Sequence, residues 1–183
     1  VTDNSDNTST CTSTVTVVYA LTPDPQVIPS NDVICNGETT NLVLENNLPV
    51  TTWTWTAQAS DFISGASSDL SGTATSISNT LLNSDVNAHN VIYSITPRVY
   101  GACDLEELRT EVWVNPEPAI EVSLPDTVIC NGETAEIQIH NPNLSVRGNW
   151  VYDLVVIPDP GISGYNDGGR YTNDDELHET IVN

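Results

Sequence analysis

Apolar residues along this chain alternate with polar ones at a period of two. Leu42 and Leu44 are separated by single residues, and Ile137 and Ile139 stand against Glu136 and Gln138. Trp53 and Trp55 take one side of their segment while Thr52, Thr54 and Thr56 take the other; Val91, Tyr93 and Ile95 form another one-sided set, as do Val15, Val17, Tyr19 and Leu21. Side chains of a β-strand point alternately to opposite faces, so each set predicts a strand with one buried face. No segment sustains the 3.6-residue period of an amphipathic helix, and only Asp104–Arg109 has the make-up of a helical turn. Asn, Asp, Ser, Gly and Pro gather between the alternating runs, where turns need them. The pattern predicts an all-β chain of short antiparallel strands.

Those strands belong to a repeat. Val33-Ile34-Cys35-Asn36-Gly37-Glu38-Thr39 recurs without change as Val128-Ile129-Cys130-Asn131-Gly132-Glu133-Thr134, 95 positions on. Around it, Thr22–Pro25 answers Asn115–Pro118, Cys11 answers Cys103, Ile63-Ser64-Gly65 answers Ile162-Ser163-Gly164, and Thr80–Asn83 answers Thr180–Asn183. Trp55 follows Cys35 by 20 residues and Trp150 follows Cys130 by 20, so both are expected as the large core residue of a third strand. This register divides the chain into the C-terminal strands of a preceding repeat (1–22), a complete repeat (23–115) and a truncated one lacking its last strands (116–183). Units of this size with about seven strands fit tandem immunoglobulin-like sandwiches of two packed antiparallel sheets.

Charge narrows the possible functions. The 183 residues hold 25 Asp and Glu against four Arg and no Lys, a formal net charge of -21. Nucleic acid, whose phosphates need cations, is excluded as a partner, and anionic membrane surfaces are repelled. Without lysine there is no Schiff base and no phosphate-cradling ammonium. No apolar run is long enough for membrane insertion, and no charged leader opens the segment, which reads as the interior of a longer mature chain.

Several motifs together carry a resemblance. Ile34-Cys35-Asn36-Gly37, Thr54-Trp55-Thr56, Tyr93-Ser94-Ile95-Thr96-Pro97, Gly101-Ala102-Cys103 and Val112-Trp113-Val114-Asn115-Pro116 follow one another across the middle unit. In this order they resemble the PKD-like and immunoglobulin-like tandem repeats of very large surface proteins of Bacteroidota, the gliding-motility adhesins among them. The third unit departs in having Asn149-Trp150-Val151 in place of the Thr-Trp-Thr triplet. The resemblance implies an extracellular, cell-surface location, export by the type IX secretion route and a role in cell adhesion. It also makes Asp126-Thr127-Val128 a candidate for O-glycosylation at Thr127.

Candidate sites are few. Four cysteines without Cys-x-x-Cys spacing or a neighbouring His argue for disulfides in an oxidising compartment and against zinc. Each repeat has an early and a late cysteine. One closure joins Cys35 to Cys103 and leaves the partners of Cys11 and Cys130 outside the segment. The alternative joins the early cysteine of one unit to the late cysteine of the next, because the two cysteines of one sandwich would lie at opposite poles. Asp167, Asp174, Asp175 and Glu176 form an acidic loop that could offer oxygens to Ca²⁺, the one cofactor considered. His89, His140 and His178 are scattered and read as surface residues. No Gly-x-Ser-x-Gly elbow and no glycine-rich phosphate loop occurs, so the chain is expected not to be an enzyme. Trp53 and Trp113 are candidates to stack on a sugar ring, or, for Trp113, on a neighbouring domain.

Proline restricts the backbone before it and favours extension, so the Pro-x-Pro junctions at Thr22–Pro25 and Asn115–Pro118 predict semi-rigid spacing between units. The expected function is a non-enzymatic stalk or adhesion segment whose partners are neighbouring repeats, with surface polysaccharide or another surface protein as the further ligand. The alternative is a carbohydrate-binding accessory module of a secreted enzyme.

Overall fold

The computed structural model of the protein describes residues 4–6, 8–10, 12–14, 22–29, 32–48, 51–99, 103–166, 168–172 and 175–183. No helix occurs among them, and the predicted all-β class is what the chain adopts. β1 (Gln26–Pro29), β3 (Leu42–Glu45) and β6 (Ser76–Ile77) form one sheet. β2 (Val33–Ile34), β10 (Leu108–Val114), β8 (His89–Val99) and β4 (Thr51–Ala59) form a second in that order, with β9 (Cys103–Asp104) also paired to β8. β5 (Ile63–Ser64) and β7 (Leu82–Asn83) make a short ribbon. β2 runs parallel to β10, and the other pairs of these sheets are antiparallel. The chain therefore leaves one sheet after Pro29 and enters the other at Val33.

The alternating residues do what their pattern requires. Leu42, Leu44 and Ile77 of the first sheet pack in one cluster with Trp53, Trp55, Val91, Tyr93, Ile95, Val112 and Val114 of the second. Each such side chain contributes about 1.5–3 kcal/mol when fully buried. Pro97 lies in the central strand, where proline is rare because it cannot donate to the ladder. β10 pairs with β8 only as far as Leu108 opposite Ile95, and Pro97 accepts from Leu105 N through its carbonyl (2.8 Å), so the missing N–H faces a side the ladder has already left.

A polar pivot crosses this core. Tyr93 donates its hydroxyl to Asn79 Oδ1 (2.9 Å), Asn79 Nδ2 donates to Ser67 Oγ (2.7 Å), Thr40 Oγ1 accepts from Asn79 N (2.9 Å), and the Trp55 indole donates to Ser67 O (3.0 Å). Buried polar groups cost little when each finds a partner, and these do.

β11 (Glu121–Ser123), β12 (Thr134–His140) and β15 (Asp175–Thr180) form a separate three-stranded sheet, beside a ribbon of β13 (Val151–Val155) and β14 (Gly168–Thr172). Among the described residues only Ile139 and Leu177 are buried apolar side chains here, while Val122, Val151, Val155 and Ile157 stay exposed. The first set fills its core with residues of β8 and β10, and β11–β15 contain no strand pair in that place.

The recurring heptapeptide folds the same way twice. Cys35 N donates to Glu38 Oε2 (2.8 Å) and Cys130 N to Glu133 Oε2 (2.7 Å). Gly37 N reaches Leu81 O (2.9 Å) as Gly132 N reaches Ile181 O (2.8 Å), and Asn36 Oδ1 accepts from Asn83 N (2.8 Å) as Asn131 Oδ1 accepts from Asn183 N (2.9 Å). Gly65 and Gly164 each have a positive φ, and a β-carbon on either would stand 2.0 Å from the carbonyl oxygen of Thr80 or Thr180.

Three expectations change. Trp55 is buried in β4 and bridges Asp69, but the residue paired at the matching place in β13 is Leu154, opposite Gly169. Trp150 is only half-buried, because the stretch from Trp150 to Ile162 is four residues longer than the one from Trp55 to Ile63 and the strand slides past the tryptophan. Asp104–Arg109 forms no helical turn; β9 holds its start against β8 and β10 takes its end. Among the described residues the first set contains ten strands where about seven were expected, several of them two-residue pieces in the Ser-, Thr- and Asn-rich stretch between Ala59 and His89.

Candidate functional site

Side chains of the two sets of sheets converge where β10 runs into the Asn115–Pro118 linker. Asn115 N continues the β2–β10 ladder by donating to Ile34 O (2.9 Å). Its side-chain amide then behaves as a strand's peptide group would, donating to Arg147 O (3.0 Å) and accepting from Arg147 N (2.7 Å). The Arg147 guanidinium carbon lies 3.6 Å from the centroid of the Trp113 ring, a close cation–π contact. Asn87 forms a parallel bridge with Ser145, and Ala88 N donates to Ser145 O (2.8 Å). Linker, aromatic face and loop thus hold the second set from three sides, and Pro116 is buried between them.

The buried Asn83 organises the pole that makes these contacts. Its Nδ2 donates to Asn87 O (2.7 Å) and to Val114 O (3.0 Å), and its Oδ1 accepts from Asp85 N (3.0 Å). Next to it His89 Nε2 lies 2.7 Å from Asp85 Oδ2, His89 Nδ1 lies 3.1 Å from Ser60 Oγ, and Phe62 stacks on the imidazole at 4.8 Å. The hydrogen bond with His89, then those from Asn87 and the Val86 backbone, hold the Asp85 carboxyl down at about 2. Ser60 Oγ is also within 3.5 Å of Phe62 N, so this chain of groups ties β8 to the turn after β4.

A cavity of about 380 Å³ opens at the junction, lined by Cys35, Pro116 and Ile120 on one side and Val146, Asn149 and Trp150 on the other. Trp150, Tyr152 and Tyr171 stack in succession at 5.5 and 5.4 Å from its wall outward.

The candidate residues fall in different places. Trp53 is 3% exposed and shares the core with Trp55, so it offers no face to a sugar. Trp113 is half-buried and its ring is covered by Arg147, the domain contact and not a free platform. Cys35, Cys103 and Cys130 are exposed free thiols, and Cys11 lies outside the described residues. In this structure Cys35 and Cys103 stand far apart. Ile34 sits beside Val114 at the His89 end of β8, and Cys103 pairs with Val99 at the other end. Ten strand steps span roughly 33 Å, against the ~7 Å between Cα atoms that a disulfide tolerates. Asp167 and Asp174 lie outside the described residues, as do the side chains of Asp175 and Glu176, whose backbone belongs to β15. Among the described residues no three His, Cys, Asp or Glu gather as a metal would need. Thr127 is exposed in the bend between β11 and β12. His140 pairs with Glu121 across β11 and β12 (3.0 Å), and His178 lies within β15. Arg147, Asn115 and Ser145 carry the junction; Asn115 closes the Val-x-Val-Asn-Pro run, while no motif in the sequence marks Arg147 or Ser145.

Residues 32–118 match the PKD-like domain. The match runs from the residue before β2 through the linker prolines, so the matched stretch includes Trp113 and Asn115 of the junction. No curated protein and no solved structure matches the chain. PKD-like domains are structural modules, typically non-catalytic, and usually occur in extracellular proteins. No described helix is long and apolar enough to cross a membrane.

Proposed function

We propose that the chain is a stalk segment of a large bacterial surface adhesin of the gliding-motility type, exported by the type IX route. In this reading residues 23–115 and 116–183 are successive units of one repeat, the second without its last strands, and residues 1–22 end the unit before. The observation that carries it is the junction. Arg147 over Trp113, the two hydrogen bonds of Asn115 and the Ser145 bridge fix the following unit at one angle, where a flexible tether would have none of these contacts. Units fixed this way add length, and a net charge of -21 keeps neighbouring stalks apart. Reach, and not bond-making chemistry, is then the working property. Its ligands are surface polysaccharide or another surface protein, met at the far end of the array. Antibodies to the purified chain test this on intact cells of the source organism. Labelling without permeabilisation, lost after protease shaving, is the expected result; labelling only after permeabilisation contradicts it.

A further inference from the structure

We infer that Cys35 is one half of a covalent staple between successive units, its partner being the counterpart of Cys103 in the unit that follows. The inference rests on the reading of consecutive units and adds a bond to it. The two cysteines of the PKD-like domain lie at opposite poles, Cys35 at the end that meets the following unit and Cys103 at the end away from it. Repetition of such a unit brings unlike poles together at every junction, so an early cysteine always faces a late one.

The second set of sheets shows where that late cysteine would sit. Leu154 opposite Gly169 matches Trp55 opposite Asp69, and the turn closed by Ile162 N on Asp159 O (3.1 Å) matches that closed by Ile63 N on Ser60 O (3.0 Å). Counting back along this register puts Trp150 in the place of Thr51. In the PKD-like domain Thr51 pairs with Val99, and Val99 pairs with Cys103. The late cysteine of the following unit thus belongs two strands over from Trp150. Trp150 and Cys35 line the same open cavity of about 380 Å³, so the exposed thiol and the seat border one space. Pro116, Pro118, Ala119, Ile120, Val146 and Val151 give the cavity an apolar side against which a strand end can pack.

Forming the staple removes one proton and one electron from each thiol. A disulfide of an oxidoreductase or of a small thiol accepts both pairs and becomes two thiols, and one S–S bond joins the units.

The test extends the full chain after Asn183 with a copy of Ser84–Pro118, since Asn183 holds the place of Asn83. The protein is equilibrated with oxidised and reduced glutathione, digested without reduction and mapped by mass spectrometry. Cys35 linked to the added cysteine in most molecules, with the link lost in Cys35→Ser, is the expected result. Cys35 recovered as a free thiol, or linked to Cys103 or Cys130, overturns the inference. Should the extended chain not fold, a second protein decides in the same way: residues 116–183 are replaced by a second copy of residues 23–115, whose core is complete within itself. Single-molecule energy transfer across the junction separates the two claims. A fixed distance without the link leaves the stalk reading standing and removes only the staple.

Discussion

The guanidinium of Arg147 lies over Trp113, its carbon 3.6 Å from the ring centroid, and joins two sets of sheets that share no strand. Cation–π contacts of this kind contribute about 0.5–2 kcal/mol. Arg147→Ala is expected to open the junction several-fold more often and expose Trp113 to acrylamide, raising the quenching of tryptophan fluorescence. The core tryptophans Trp53 and Trp55 stay shielded, so the rise is confined to part of the emission. Unchanged quenching contradicts the contact's role.

Gly65 and Gly164 make a second, sharper prediction. A methyl group at either meets a carbonyl oxygen at 2.0 Å in a backbone with positive φ, whereas at Gly132 (φ +82°) it meets nothing within 4 Å. Gly65→Ala should destabilise the first set of sheets by on the order of 3 kcal/mol or more, and Gly132→Ala the second set by about 1 kcal/mol, in urea unfolding. Equal losses would mean that the close approach does not govern Gly65.

Alkaline unfolding reads the polar pivot. Burial pushes the Tyr93 phenol up to about 12, against a hydrogen bond from Thr40 that acts the other way. The folded state therefore holds the proton that the unfolded chain releases near 10. The resulting stability is complete below pH 10 and is lost as pH rises to about 12. Tyr93→Phe should cost about 1 kcal/mol at pH 7 and abolish that alkaline decline. A decline of the same size in the variant would assign it elsewhere.

Acid reads the junction pole. Asp85, held at about 2 chiefly by His89, favours the folded state while ionised. Its contribution is present above about pH 4 and disappears as pH falls to 2. Asp85→Asn should flatten that part of the acid unfolding curve, followed by the chemical shifts of His89. A curve of unchanged slope contradicts this assignment.

Much of this architecture was legible in the amino acids. Leu42, Leu44, Val91, Tyr93 and Ile95 alternate with polar neighbours, and all are buried. The shared Cys-Asn-Gly-Glu turn is legible because its hydrogen bonds are local or reach a segment that also recurs. Trp150 misled because equal spacing from a turn does not survive an insertion that shifts the strand. Trp53 shares a face with Trp55, and a face is buried as a whole, so it offers no sugar platform. The junction was hidden for another reason: Trp113 of β10 and Arg147 of the loop between β12 and β13 are 34 residues apart, and nothing periodic links them. The opposite poles of the two cysteines were legible from the sandwich topology, and the β8 register supplies their separation.

The fixed angle between the two sets of sheets is the proposition on which the stalk depends, and native thiols report on it. Cys103 and Cys130 are exposed and sit on either side of the junction. With Cys11 and Cys35 replaced by Ser, dyes on this pair are read by single-molecule energy transfer. One narrow distance distribution, broadened by Arg147→Ala, is the result expected here; a broad distribution in the unaltered junction, indifferent to Arg147, would contradict the account.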